Sequence, residues 1–547
     1  MAILLFPGRH LVMTKFQEEY CADLLSRNVS ELVLEGTFGG QVDEKIDHLV
    51  FAITSANQSG SRYNPVPLHA RITAIDRFVA RLRERHSFHI SYVMVPHFPP
   101  SDRFAGLLLK HVADQVGTPC SPAETVILSS TPTLIADYRV LGYAVAPAEY
   151  SIAENRYHEE APIEIIRALA SADGDYRNSP AYQKLSRSTI SVWEDMPEIP
   201  IHVFRIWNDP LLTEEGSLTH ERNYSTYAYG MGHDALITQK ANDVIPAILP
   251  GKIVDEGCAD CALIGRLAAA FPDSDIIGID ITGEFIARCT ERQRVGEFSQ
   301  TFVSIYQRNL LSPIFKPESV TTTLCNSTLH EIYSYGNGEK SVREYLALKY
   351  AQLSKGGRLV IRDVVGPLQK ETVVWLRLSE TDGSNEEPLK QVQAEELPNY
   401  LSGLSTFARF IRFAEDFLAE RRRDGLRKPV NKINYEIVSK DDVPYIKCTL
   451  KDAMEFLLTK DYTDNWQSEM HEEFTFWDFD QWQDALVHAG FTIVNDTASP
   501  ARFSRAYVNQ WILDHRILPC AALFTNVDGT LVPYPFPSMN MVLVGEK

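Results

Sequence analysis

Short apolar runs of strand length alternate with amphipathic helical patterns twice along this chain, from Ile3 to about Ile206 and again from about Ile253 to the end. Continuous apolar strands separated by helices require parallel sheets covered on both faces, so this rhythm predicts two doubly wound α/β units. Length agrees: 547 residues exceed the roughly 250–300 at which one core stops growing. In the first unit Ala2–Phe6, Leu32–Leu34, Leu49–Ile53, Ile90–Pro96 and Thr125–Leu128 read as strands. The polar stretch from Asn208 to Tyr227 reads as the connection, giving domains at 1–207 and 233–547 joined by 208–232.

The second unit opens with a helix over His233–Ile248, then strands at Lys252–Asp255, Asp275–Asp280, Ser319–Cys325 and Gly357–Val364. The rhythm then breaks over about 366–476, where Leu404–Arg422 and Leu450–Leu458 read as helices. It resumes with a helix over Phe479–Ala489 and strands at Phe491–Asn495 and Met539–Val544. We read the interruption as a largely helical insertion covering the carboxyl ends of the strands, where ligands bind in open α/β sheets.

Composition narrows the function. A formal charge of −19, from 53 Lys and Arg against 72 Asp and Glu, disfavours nucleic acid, whose affinity comes from cations neutralising phosphates. The basic cluster Arg421, Arg422, Arg423, Arg427 and Lys428 is interleaved with Glu415, Asp416, Glu420 and Asp424 and reads as a solvated helix face. No apolar run is long enough to cross a membrane, and MAILLFPGRH reads as a first strand and not a secretion signal. Eight cysteines are sparse for a disulfide scaffold and fit a reducing cytoplasm. The expected partner is a small molecule.

The run Ile253-Val254-Asp255-Glu256-Gly257-Cys258-Ala259-Asp260-Cys261 places an apolar strand, a glycine turn and a helix start in succession, the form of a nucleotide-binding turn. Asp280 ends the next strand 25 residues after Asp255, near the spacing at which an acid receives ribose hydroxyls. With the later Lys355-Gly356-Gly357-Arg358-Leu359 turn, these motifs resemble the class I S-adenosylmethionine (SAM)-dependent methyltransferases over roughly 300 residues. The resemblance implies that Asp255, Gly257, Cys258 and Ala259 line the methionine part of the donor and that Asp280 and Ile281 meet its ribose. It places Asn309 and Leu310 at the adenine and Asn326 beside the reacting methyl. Ala259 and Cys261 stand where the family has its second and third glycines. A dehydrogenase would share the first two elements, but the single glycine and the later motifs favour the methyltransferase. Cys258 and Cys261 read as small packing residues, and no cluster has metal-ligand spacing.

After the fourth strand, His330 and Glu331 sit where an acceptor would approach, as a general base or as a pair capping the next helix. Asp363 ends the fifth strand on the same edge, and His471, Glu472 and Glu473 either close over the acceptor or decorate the surface.

In the first unit, Gly8, Arg9, Thr14, Lys15 and Gln17 follow the first strand into a helix whose start could hold phosphate. Asn64 and Arg71 follow the loop after Ile53. This pattern resembles the nicotinamide-mononucleotide adenylyltransferases of the HxGH nucleotidyltransferase superfamily, with Arg167 at the family's late arginine. The HxGH tetrad falls on Thr14-Lys15-Phe16-Gln17, so both histidines and the glycine are absent. The first domain is therefore expected to bind ATP or another nucleotide, or to order a homodimer, without transferring a nucleotidyl group. The combined expectation is two Rossmann-like domains, the second methylating a nucleotide-linked or pyridine-type small molecule. A bifunctional enzyme and a non-catalytic SAM sensor are the alternatives.

Overall fold

A computed structural model describes residues 2–39, 44–98, 101–117, 119–172, 175–208, 234–298, 301–389, 391–418, 433–495 and 503–547. The connection from 209 to 232, His233, and the basic cluster at 421–428 lie outside them. The chain divides into two compact units, Met1–Gly216 and Ser217–Lys547.

In the first unit, β1 (Ala2–Gly8), β2 (Ile46–Ile53), β3 (His89–Met94), β4 (Thr125–Ser129) and β5 (Ala144–Pro147) form one parallel sheet in the order β3-β2-β1-β4-β5. A small hairpin, β6 (Tyr150–Ser151) and β7 (Arg156–Tyr157), stands apart. The strand order reverses between β1 and β4, which creates the crevice at their carboxyl ends. Residues Leu4, Leu5, Leu49, Val50 and Phe51 are wholly buried, because helices cover both faces. Leu32–Leu34 is not a strand. It follows a single 3₁₀ turn, and Gly36, at a φ of 86°, bends the chain away after one bridge from Glu35 to Val145.

In the second unit the strands in chain order are β8 (Lys252–Glu256), β9 (Asp275–Asp280), β10 (Phe302–Gln307), β11 (Val320–Asn326), β12 (Leu353–Val364), β13 (Val373–Leu378), β14 (Glu436–Lys440), β15 (Val443–Thr449), β16 (Thr492–Ile493), β17 (Arg505–Tyr507), β18 (Ala521–Val527), β19 (Thr530–Pro533) and β20 (Asn540–Glu546). The main sheet runs β10-β9-β8-β11-β12-β20-β16, with β17 also on β20. Strands β8 to β12 are parallel and β20 returns antiparallel. Here too the order reverses at the centre, between β8 and β11, so the sequence expectation of a doubly wound α/β fold holds.

The interruption after β12 contains helices Leu397–Gly403, Thr406–Asp416 and Leu450–Thr459, but it is not wholly helical. Strands β13, β14 and β15 join β18 and β19 in a five-stranded antiparallel sheet, order β14-β15-β13-β18-β19. Two excursions, one before and one after β16, thus share a core around Phe410, Phe413, Phe456 and Leu523. No helix among the described residues is long and apolar enough to cross a membrane.

Candidate active site

The turn after β8 is shaped by close packing. Gly257 has a φ of 73°, and a Cβ there would lie 2.1 Å from Thr328 Oγ1. Glycine is therefore required by the neighbouring β11 loop, a tighter constraint than the approach of a ligand expected from sequence. The turn is tied to β9 by the amides of Gly257 and Cys258, which both donate to Ile279 O, at 2.8 and 3.0 Å. Gly278 does the work of a helix-packing glycine from the adjacent strand: a Cβ there would meet Ile264 at 2.6 Å. Ala259 and Cys261, at φ of 46° and 66°, occupy the left-handed region in place of glycines.

Asp280 closes this turn. Its Oδ2 accepts from the Ala259 amide at 2.9 Å and its Oδ1 from the Thr282 amide at 2.8 Å. Burial pushes the carboxyl up to about 6, against the Thr282 hydrogen bond and with the Glu331 charge adding to the rise. The Thr282 side chain also bonds this carboxylate, whose roughly four lone-pair sites leave room for a further hydroxyl. Ile281, half-buried, accepts from Gln307 through its carbonyl. Asn309 folds back, its Oδ1 accepting from the Leu311 amide at 3.0 Å, and Leu310 belongs to the core while its carbonyl receives Lys349 Nζ.

Glu256 is engaged internally, with Tyr345 and Lys349 each donating to it at 2.6 Å. Asp255 differs. Its Oδ2 is buried and has no hydrogen-bond partner among the described residues, and the same holds for Asn326 Oδ1. These two acceptors lie at the carboxyl ends of the adjacent strands β8 and β11, on either side of the switch point. Burial pushes Asp255 up to about 7, offset partly by Lys240, and pushes Lys240 down to about 7, so the pair sits near proton balance.

The loop after β11 centres on Asp363. Its Oδ2 accepts from the amides of Thr328 (3.2 Å) and Leu329 (2.8 Å), and its Oδ1 from Val364 N (2.8 Å) and His330 Nδ1 (2.7 Å). Burial lowers the His330 value, but Asp363, then Glu472 and Glu331, outweigh it and raise it to about 9. Burial likewise opposes ionisation of Asp363, yet His330 and the amides hold it below its ordinary value. The sequence reading left His330 and Glu331 as a general base or as a pair capping the next helix, and the structure seats His330 Nδ1 on Asp363. Glu472 is nearly fully buried, its Oε2 3.6 Å from His330 Nε2 and its Oε1 accepting from Tyr335 at 3.2 Å. It faces this cluster, whereas Glu473 pairs with Lys451 at 2.5 Å.

Cys261 is not a packing thiol. It is disulfide-bonded to Cys289, 28 residues on, which staples the turn to helix Gly283–Arg294. Cys258 remains a buried thiol 3.8 Å from Cys261 Sγ.

In the first unit, Thr14, Gln17, Asn64 and Arg71, read as part of a nucleotide site, are buried. Thr14 and Gln17 form a reciprocal capping box on helix Lys15–Ser26, and Gln17 Nε2 donates to Glu149 at 2.8 Å. Arg71 is wholly buried and donates to the carbonyls of Arg9, Thr54 and Ser55, each at 3.0 Å. Arg9 donates to Tyr63 O and stacks on its ring, and Asn64 closes its own loop through Ser61 and Gln58. Gly8 ends β1, Lys15 is exposed, and Arg167 pairs with Glu164 on the surface.

No protein-family model matches the chain, and no curated protein matches it. Among solved structures it is similar to a SAM-dependent methyltransferase from Methanosarcina mazei (11% identity, 56% of this chain and 96% of that one, TM-score 0.27). It is similar also to one from Mesorhizobium loti (13%, 57% and 100%, TM-score 0.27) and to geranyl diphosphate C-methyltransferase from Streptomyces coelicolor (15%, 28% and 57%, TM-score 0.21). Such scores carry no weight for function, which rests on the chain's own residues.

Proposed function

We propose that the second unit transfers a methyl group from SAM to a small-molecule acceptor, in which SAM supplies an electrophilic methyl on its sulfonium. The observation that carries this reading is the arrangement around the β8/β11 switch point. A carboxylate anchored by two amides, Asp280, is held where it can accept from a ribose hydroxyl, and two buried acceptors, Asp255 Oδ2 and Asn326 Oδ1, await a donor such as an ammonium group. Gly257, Cys258 and Ala259 line the methionine moiety, Ile281 meets the ribose beside Asp280, and Asn309 and Leu310 border the adenine. His330 and Glu331 position the acceptor, since methyl transfer depends chiefly on alignment and exclusion of water.

Titration calorimetry of the full chain with SAM and S-adenosylhomocysteine tests the donor site. Asp280→Ala should weaken both at least about tenfold, since one hydrogen bond to a charged group is worth about 1.5–3 kcal/mol. Equal affinity in wild type and variant would sink the assignment, and binding with no turnover of any acceptor would favour the sensor reading.

For the first unit we infer ATP or other nucleotide binding at most, through Gly8, Arg9 and Lys15 at the β1/β4 crevice. Thr14, Gln17 and Arg71 hold the protein's own backbone, which disfavours a bifunctional enzyme.

A further inference from the structure

A ring nitrogen of His330 and one carboxylate oxygen each from Glu331 and Glu472 lie within 4.8 Å of one another, with His330 and Glu472 buried. Three features distinguish this cluster from a chance gathering of acids. First, His330 has its orientation fixed from behind: Nδ1 is bonded to Asp363 at 2.7 Å, and Asp363 is itself held by three backbone amides. Metal-binding histidines are characteristically supported in this way, the distal nitrogen on a carboxylate and the other turned to the ion. Second, the outward nitrogen, Nε2, lies 3.6 Å from Glu472 Oε2. That is too long for a hydrogen bond and well inside the span of two ligands each about 2.1 Å from a shared ion. Third, Glu472 is held on its other oxygen, Oε1, by Tyr335 at 3.2 Å.

Charge points the same way. Three carboxylates, Asp363, Glu472 and Glu331, act on one imidazole, and Arg362 and Lys451 pair with Asp243 at 2.9 Å and Glu473 at 2.5 Å. Lys240 interacts electrostatically with Asp255 more strongly than with Asp363.

We propose that His330, Glu331 and Glu472 form a binding site for a first-row divalent metal ion, such as Mn²⁺ or Zn²⁺, with Asp363 as the residue that orients the histidine. One nitrogen and two carboxylate ligands suit such ions better than Ca²⁺, which takes six to eight oxygens. Three protein ligands leave coordination positions open. Resting on the methyl-transfer reading, those positions would take an oxygen of the acceptor, which narrows the acceptor to a hydroxyl- or carboxyl-bearing small molecule. The site itself does not depend on that reading.

The test uses the full chain, stripped with a chelator and titrated with Co²⁺ while its visible absorption and calorimetric heat are followed. Wild type should bind one equivalent with a nitrogen-containing ligand field. His330→Gln, Glu472→Gln and the half-exposed Glu331→Gln should each lose at least about 100-fold in affinity, and Asp363→Asn about 10–100-fold. The surface variant Glu339→Gln should match wild type, with circular dichroism reporting folding throughout. Absence of a stoichiometric site in folded wild type, or unchanged affinity in folded Glu331→Gln, overturns the proposal and leaves a His–carboxylate ion-pair network. SAM titrations on the same samples separate the two readings. SAM binding without Co²⁺ binding defeats the metal site alone, and Co²⁺ binding without SAM binding defeats the donor site alone.

Discussion

The two units share a strand order, β3-β2-β1-β4-β5 and β10-β9-β8-β11-β12, so each has a crevice at the same topological position. They differ in what their polar groups do there. At the first crevice Arg71 donates to the carbonyls of Arg9, Thr54 and Ser55 and Thr14 and Gln17 bond each other, while Arg71 Nε and Asn64 Oδ1 stay buried without partners among the described residues. At the second, Asp255 and Asn326 keep buried acceptors without partners among the described residues, and a histidine faces two carboxylates. With equal topology the two crevices differ in the kind of group left over, a guanidinium donor and an amide oxygen in the first and a carboxylate and an amide oxygen in the second, so the fold sets where a ligand could bind and the side chains set which chemistry would suit it.

The largest expected effect tests the first half of this contrast. If Arg71 is structural, Arg71→Met leaves three carbonyls of the β1 and β2 loops unpaired and should destabilise the first unit by about 3 kcal/mol or more. Chemical denaturation would show the loss, while SAM affinity of the second unit stays unchanged. A stable variant that instead lost ATP binding would make Arg71 a ligand-binding residue and erase the contrast.

Next in size is the loss of SAM affinity in Asp280→Ala given above, and Asp255 then sharpens it through pH. Its carboxyl, raised from 3.8 to about 7, makes the folded chain hold a proton that the unfolded chain releases between about pH 4 and 7. Stability from this group is therefore complete below pH 4 and falls as pH rises through 7. Asp255→Asn should flatten that fall and gain stability relative to wild type at pH 8. The gain is limited because wild-type Asp255 partly compensates Lys240. An ammonium donor binds the ionised form, so SAM affinity in wild type should rise across the same interval and that rise should vanish in the variant. An unchanged slope would show that Asp255 is not the buried acid its surroundings make it.

Legibility from sequence followed distance along the chain. The β8 turn and Asp280 were readable because strand, turn and next strand end are local and apolar runs mark them. The cluster at His330 was readable only in part: Asp363 lies one strand on, but Glu472 arrives 142 residues later, after an excursion whose fold has no local signature. Strand β10 escaped because it is an edge strand with Phe302 and Tyr306 exposed, so its pattern lacks the continuous apolar run of the centre. The antiparallel sheet escaped because β18 and β19 come from a segment about 70 residues beyond β15 in the chain. Spacing likewise gave no hint that Cys261 would meet Cys289, since a helix and a strand separate them.

The smallest effect probes whether the first unit's helix start is a cap or a phosphate seat. Thr14 and Gln17 satisfy amides that a phosphate would otherwise receive, so the two roles compete for the same donors. Thr14→Ala should cost about 1 kcal/mol of stability, the usual value of an N-cap, and leave one amide of the first turn open. Added inorganic phosphate should then raise the melting temperature of the variant more than that of wild type. If phosphate stabilises wild type as strongly, the cap yields readily to an anion and the crevice works as a nucleotide site; if it stabilises neither, the first turn is inaccessible and the unit's role lies elsewhere.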